Sequence, residues 1–359
     1  MPTVEPDVLV DQVTRLPEDF GLLLETVPAM VDASLPDAHL AAVDEVVLVG
    51  SGDSYHAACA AQTAFEALAG LRCEPMSALR YLHYARRHEP PADRPTGLVV
   101  GISASGRTEP VLRALHRARE RGQRTLGVTC TPGSDITRVA DHDIVCRLPD
   151  SQPSPGIRTY QAGLLSVLLL AVHAGRAGRG PAAELDAARS DLAGCADVLA
   201  AVPRSLAGPC ARLADAISDA TAACVLGSGP NRGTALYAAA KLTEGAGLFA
   251  VGQDLEEWCH IERFADPPDM PVLLLSVPGR ASCDAERVAA RAAGLGRRVA
   301  VVGEPADPAL QHAAIGLALP GDGVREELSP LLYHAFAGLV AAELARRRGM
   351  LAFQGGVAR

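Results

Sequence analysis

Only 4% of the 359 residues are aromatic, so a buried core must be built mainly from Ala, Val and Leu. Lysine and asparagine are almost missing. Of 33 Lys plus Arg, one is a lysine, Lys241, and Asn231 is the one asparagine. Both have AT-rich codons, so a GC-rich coding sequence accounts for the bias. Its chemical consequence stands regardless: a step that needs a lysine has only Lys241. There is no basic tail or stripe and the net charge is −9, which argues against a general nucleic-acid binder. An acidic chain can still hold a small anion, because that needs only a local pocket. The longest apolar stretch, near Leu164–His173, is too short to span a bilayer. The opening MPTVEPDVLVDQ has neither a basic nor an apolar leader region, so no signal peptide and a cytoplasmic location are expected. Nine cysteines, an odd number with no CxxC pair, favour reduced and mostly buried thiols over a disulfide or zinc framework.

With 48% hydrophobic residues the chain can bury a large core, and its length suggests two domains. Two sets of segments look alike. VVLVGSGDS at 46–54 matches CVLGSGPNR at 224–232, and LVVGISASGRT at 98–108 matches VLLLSVPGRAS at 272–282. A third apolar run follows in each half, TLGVT at 125–129 and VAVVG at 299–303, at an offset of about 175 residues. A strand, a small-residue turn and an Ala/Arg-rich helix, repeated in this order, imply parallel sheets with right-handed crossovers. The apolar runs do not alternate, as expected of strands covered on both faces. The reading is an α/β chain of two tandem three-layer domains, 20–178 and 179–348, with a tail at 349–359. Leading and closing helices are expected at Val8–Asp32 and Ser329–Arg347, the latter amphipathic. A Gly/Arg-rich break falls at Ala174–Pro181, and the second repeat starts near Pro203.

ISASGRT carries the strongest local signal. Ser103, Ser105 and Thr108 cluster around Gly106 between a strand end and a helix start. Hydroxyls there, with free backbone N–H groups, suit a phosphate, although the same residues also serve as ordinary caps and turns. GSGDS at 50–54 occupies the corresponding place one crossover earlier. It lacks the third glycine of a dinucleotide fingerprint.

SxSGxT after an apolar strand, in a chain of two such halves, resembles the sugar isomerase (SIS) family of phosphosugar-binding domains. AKLTE at 240–244 and EWCH at 257–260 sharpen the likeness to the isomerase half of the glucosamine-6-phosphate synthases, where a histidine follows the glutamate of a KLxE helix by sixteen residues, as His260 follows Glu244 here. The resemblance implies a two-domain SIS fold without the synthases' glutaminase domain. It implies that Ser103, Ser105, Gly106 and Thr108, with Ser51, Gly52 and Ser54, bind a sugar phosphate. Glu244 becomes the base that moves a proton between C1 and C2, Lys241 its neighbour one helical turn earlier, and His260 the group that opens the sugar ring, donated by a partner subunit. Glu257 matches a further family glutamate. The expectation is a metal-free, cofactor-free homodimer with composite sites, acting on a phosphorylated sugar or amino sugar and binding neither nucleic acid nor membrane.

The chain also departs from the pattern. SVPGRAS replaces SxSGxT in the second half, so only the first should hold phosphate. Asp53 puts a carboxylate into a loop meant to face an anion. Aligned from Gly349, the synthases' C-terminal lysine would fall just beyond Arg359, so no counterpart to it is expected, and arginine cannot form its Schiff base. Metal binding by EEWCHIE at 256–262 matches no known ligand spacing. Three readings follow: aldose–ketose isomerisation through an enediolate; deamination or deglycation of a 6-phosphorylated amino sugar or fructosamine; and a non-catalytic phosphosugar sensor.

Overall fold

The computed structural model describes residues 3–85, 97–150, 152–320 and 323–356. It divides into two compact units. One comprises Glu18–Asp150 and Arg158–Ala193; the other comprises Met1–Pro17, Ser151–Ile157 and Gly194–Arg359.

The first unit holds a five-stranded parallel sheet. Its strands are β1 (Glu45–Gly50), β2 (Arg72–Ser77), β3 (Gly97–Ile102), β4 (Arg124–Thr129) and β5 (His142–Val145), in the order β2-β1-β3-β4-β5. Strands β1, β3 and β4 are the apolar runs of the sequence, buried along nearly their whole length because helices cover both faces. Val47, Val49 and Val99 pack under Ala78–Tyr84 and Glu109–Glu120 on one face. Asp53–Ala69 and Arg158–Ala174 pack together on the other.

The second unit repeats the plan. Strands β6 (Ala222–Leu226), β7 (Phe249–Gln253), β8 (Pro271–Leu275), β9 (Arg298–Gly303) and β10 (Ile315–Ala318) lie in the order β10-β9-β8-β6-β7. Read from the other edge, this is the same winding. The helix Ser282–Gly294 covers one face, with Trp258 and Cys259 in its core. Pro230–Ala246 packs against Ala335–Arg348 on the other. Among the described residues no helix is long and apolar enough to cross a membrane.

Three local expectations fail. The leading helix is two, Asp7–Thr14 and Leu16–Ser34, separated at Arg15. The closing helix breaks at His334 and is not amphipathic: nearly every residue from Pro330 to Ala345 is buried, and Ala335–Arg348 packs against both Pro230–Ala246 and Asp7–Thr14. Pro203 does not open a repeat but lies, with Pro209, inside the helix Ala182–Ala216, whose first third belongs to the first unit. The tail runs beside Glu244, whose carbonyl accepts the Phe353 N–H at 2.7 Å; residues 357–359 lie outside the described residues.

Candidate functional site

In the first unit, β1 ends at Gly50, where a Cβ would lie 2.5 Å from the Ser54 carbonyl carbon. Only glycine permits that approach of strand to helix. Gly52 then turns the chain at φ +56° into Asp53–Ala69, a helix that no side chain caps. Ser51 and Gly52 are exposed and Ser54 is half-buried.

β3 delivers the second loop. Ser103 is 1% exposed, its N–H donates to the Val128 carbonyl at 2.9 Å, and its hydroxyl lies 2.9 Å from that of Thr108. Gly106 adopts φ +63° and is backed by Ser134, whose hydroxyl would sit 1.9 Å from any added Cβ. Ser105 is exposed and accepts the Arg107 N–H at 3.3 Å. Thr108 precedes the helix Glu109–Glu120 but does not cap it. Hydroxyls thus lie beside an uncapped helix N-terminus, the environment that anions favour.

A small cleft adjoins this loop, lined by Asp53, Ser54, Ala104, Thr129, Cys130 and Tyr160 among others. Asp53 therefore faces the cleft, with His56 Nδ1 3.7 Å from its carboxylate. Burial keeps the Tyr160 phenol neutral by raising its pKa well above the ordinary value, with Asp53 adding to the effect.

The corresponding loop of the second unit is built on the same backbone and filled differently. Ser276 N–H donates to the Val302 carbonyl at 2.9 Å, as Ser103 does to Val128. Pro278 and Ala281 stand where Ser105 and Thr108 stand in the first unit, so two hydroxyls are missing. The Glu326 carboxylate lies against Gly279, 2.6 Å from where its Cβ would be, and 3.3 Å from Arg280. Arg280 also holds Glu327 at 2.6 Å. The chain's own carboxylates occupy this loop.

The helix Pro230–Ala246 carries the second group. Lys241 is fully buried, and its Nζ donates to Glu244 Oε2 at 2.6 Å. The ammonium also lies 5.1 Å from the Tyr237 ring centroid, and Tyr237 meets His334 edge-on at 5.6 Å. Glu244 remains 38% exposed, so one buried cation orients a carboxylate that solvent can still reach.

His260 does not join this pair. It lies 65% exposed on the turn after Leu255–Trp258, its Nε2 2.9 Å from Glu256 Oε1. Arg287 also holds Glu256 at 3.0 Å and, with His260, lowers its carboxyl pKa. Leu255, Trp258 and Cys259 are locked in the core, which turns Glu256, Glu257 and His260 outward. Trp258 and Cys259 are thereby packing residues. Ser228, bonded to Asp254 at 2.8 Å, supports the start of this turn, a link the sequence reading missed. Among the described residues no group of three or more His, Cys, Asp or Glu is disposed to hold a metal.

The SIS domain model matches residues 39–173. The isomerizing glutamine–fructose-6-phosphate aminotransferase of Streptomyces coelicolor is 29% identical over 332 residues, covering 89% of this chain and 51% of that protein. The chain spans about half the length of the curated relatives it matches. Among solved structures, the C-terminal domain of glucosamine-fructose-6-phosphate aminotransferase from Francisella tularensis superposes with a TM-score of 0.82 at 16% identity, over 96% of this chain and 97% of that one. Glucosamine-6-phosphate deaminase from Thermotoga maritima gives 0.73 at 19% identity, over 96% of each chain. At these identities the structural likeness speaks to fold alone.

Proposed function

Because residues 39–173 match the SIS, or sugar isomerase, domain, we propose that the chain is a phosphosugar-processing enzyme of that family, one that moves a proton between C1 and C2 of an open-chain sugar phosphate. The buried Lys241 ammonium on Glu244 carries this reading. Burying a lysine is costly unless it is paired and bonded, and the single lysine of the chain is spent on orienting one solvent-reachable carboxylate. A base that abstracts a weakly acidic C–H needs that fixed orientation.

In the proposed chemistry Ser103, Ser105, Gly106 and Thr108, with Ser51, Gly52 and Ser54, take the phosphate. Glu244 removes the proton from the carbon beside the carbonyl and returns it to the neighbouring carbon. His260 of a second subunit moves the proton that opens the ring, and Glu257 lies beside it. The working assembly is a homodimer with composite sites.

One observation favours a second reading. Asp53 lines the cleft beside the phosphate loop, and a carboxylate there suits an ammonium better than another anion. An amino-sugar phosphate deaminase or fructosamine-phosphate deglycase would share the first proton transfer and then expel an amine.

Incubation with a panel of hexose and amino-sugar 6-phosphates in deuterium oxide tests the reading. Wild type should place deuterium at C1 or C2 of one of them, and Glu244→Gln should lose 10²–10⁴-fold in that rate. Release of ammonia or an amino acid separates lyase from isomerase. Binding with no labelling of any sugar would mark a sensor and sink the enzymatic reading. Normal labelling by the variant would move the base elsewhere, with Glu257 the next candidate.

A further inference from the structure

Strands β4 and β5 pair in parallel with Thr129 opposite Val145, and the ladder continues one step, the Cys146 N–H donating to the Thr129 carbonyl at 2.9 Å. Cys130 and Cys146 are therefore neighbours across the ends of adjacent strands. Their sulfurs lie 3.6 Å apart. Neighbouring strands run about 4.8 Å apart, within the Cα separation a disulfide spans. Both cysteines line the cleft beside the candidate phosphate loop.

Cys130 is also wired to that loop. Its N–H donates to the carbonyl of Ala104 at 3.0 Å, and the Thr131 hydroxyl donates to the same oxygen at 3.1 Å. Ala104 sits between Ser103 and Ser105, so a shift of Cys130 is transmitted to the residue between two clamp hydroxyls. We propose that Cys130 and Cys146 form a peroxide-oxidisable dithiol, which closes to a disulfide beneath the phosphate loop and weakens anion binding there. The loss of anion affinity rests on the reading of 103–108 as a phosphate loop; the disulfide itself does not.

The chemistry balances with hydrogen peroxide as the oxidant. One thiolate attacks a peroxide oxygen, breaks the O–O bond, and becomes a sulfenic acid as water leaves. The second thiolate attacks that sulfur and displaces hydroxide, which leaves as a second water. Two thiols and one peroxide give one disulfide and two waters. Contact between the two groups favours this pair: the hydrogen bond from Cys130 lowers the pKa of Cys146, while that of Cys130 rises. Elsewhere burial pushes Cys224 up to about 12 and Cys73 and Cys210 higher, which leaves them unreactive.

The test uses the full chain carrying Cys283→Ser, which removes the exposed thiol and so prevents bridges between molecules. After reduction and brief peroxide treatment, trypsin cleavage at Arg124, Arg138 and Arg147 leaves the two cysteines on separate peptides. Non-reducing mass spectrometry should find 125–138 joined to 139–147, and the joined species should vanish with a dithiol reductant and in Cys130→Ser or Cys146→Ser. Affinity for inorganic phosphate should fall about tenfold on oxidation, recover on reduction, and be insensitive to peroxide in either serine variant. Failure to find the joined peptides while peroxide is consumed would overturn the dithiol. A bridge with unchanged phosphate affinity would overturn the coupling. If the reduced protein ignores phosphate altogether, the loop assignment falls and the coupling with it, while the joined peptides still decide the bridge.

Discussion

Replacing Lys241 by Met separates the two roles that a buried ammonium can have. Met is similar in length, apolar and adaptable, so it fills the fully buried space that Lys241 occupies. It also removes the cost of holding a charge out of water, and replacing buried charge by well-packed apolar groups is often neutral or stabilising. Glu244, at 38% exposure, can recover hydration when its partner disappears, so no stranded buried charge penalises the fold. The variant loses the ammonium's contact with the Tyr237 ring and, for positioning Glu244, a charge-assisted hydrogen bond of 2.6 Å worth about 1.5–3 kcal/mol. If that bond aims the base, turnover falls about 10–150-fold. Thermal denaturation should show a Tm within a few degrees of wild type, or higher. The rate of deuterium incorporation from solvent should drop by the stated factor, with phosphate affinity unchanged. A variant that keeps turnover within threefold of wild type but melts much earlier would refute the reasoning and make the pair a structural strut.

Ser105→Ala should weaken binding of the substrate's phosphate about tenfold or more by calorimetry, and unaltered affinity would displace the phosphate site. Glu244→Gln mixed with His260→Asn should regain part of the activity each lacks, and no recovery after verified subunit exchange would place all groups within one chain. His334 gives a pH signature, since burial lowers its pKa from 6.5 to about 3. Between those values the unfolded chain binds a proton that the folded chain refuses, so stability is lost as pH falls below 6.5. The loss should reach about 2 kcal/mol by pH 5 in denaturant titrations. His334→Leu should flatten that limb, and an unchanged pH profile in the variant would assign the acid loss to other groups.

The central strands were legible because they are buried on both faces and read as unbroken apolar runs. VVLVG, LVVGI, TLGVT, VLLL and VAVVG all lie in strands, and both sheets wind the same way. The edge strands were not. RCEPMS of β2 carries two charges, a proline and no apolar run, and its burial is patchy because one side of an edge lacks a neighbouring strand. FAVGQ of β7 and HDIV of β5 are similarly half-covered. Proline misled at 203, where tertiary packing carries the helix through a residue that by itself favours a break.

The candidate site divides along the same line between local and non-local information. Lys241 and Glu244 are three residues apart on a helix, so their contact follows from helical geometry and could be read directly. The sixteen-residue step from Glu244 to His260 contains a turn, a strand and a short helix, and no periodicity carries direction across them. There the pattern of burial decides: Leu255, Trp258 and Cys259 point in, and His260 is left on the surface against Glu256. Glu326 filling the second small-residue loop, and Cys130 meeting Cys146, depend on partners 47 and 16 residues distant and have no local signature. His260 faces outward and is held by the Glu256 carboxylate of its own surface, whereas Lys241 and Glu244 hold each other on the helix Pro230–Ala246. Mixing the two inactive variants decides whether this exposed histidine acts on a site of a second subunit or on one of its own chain.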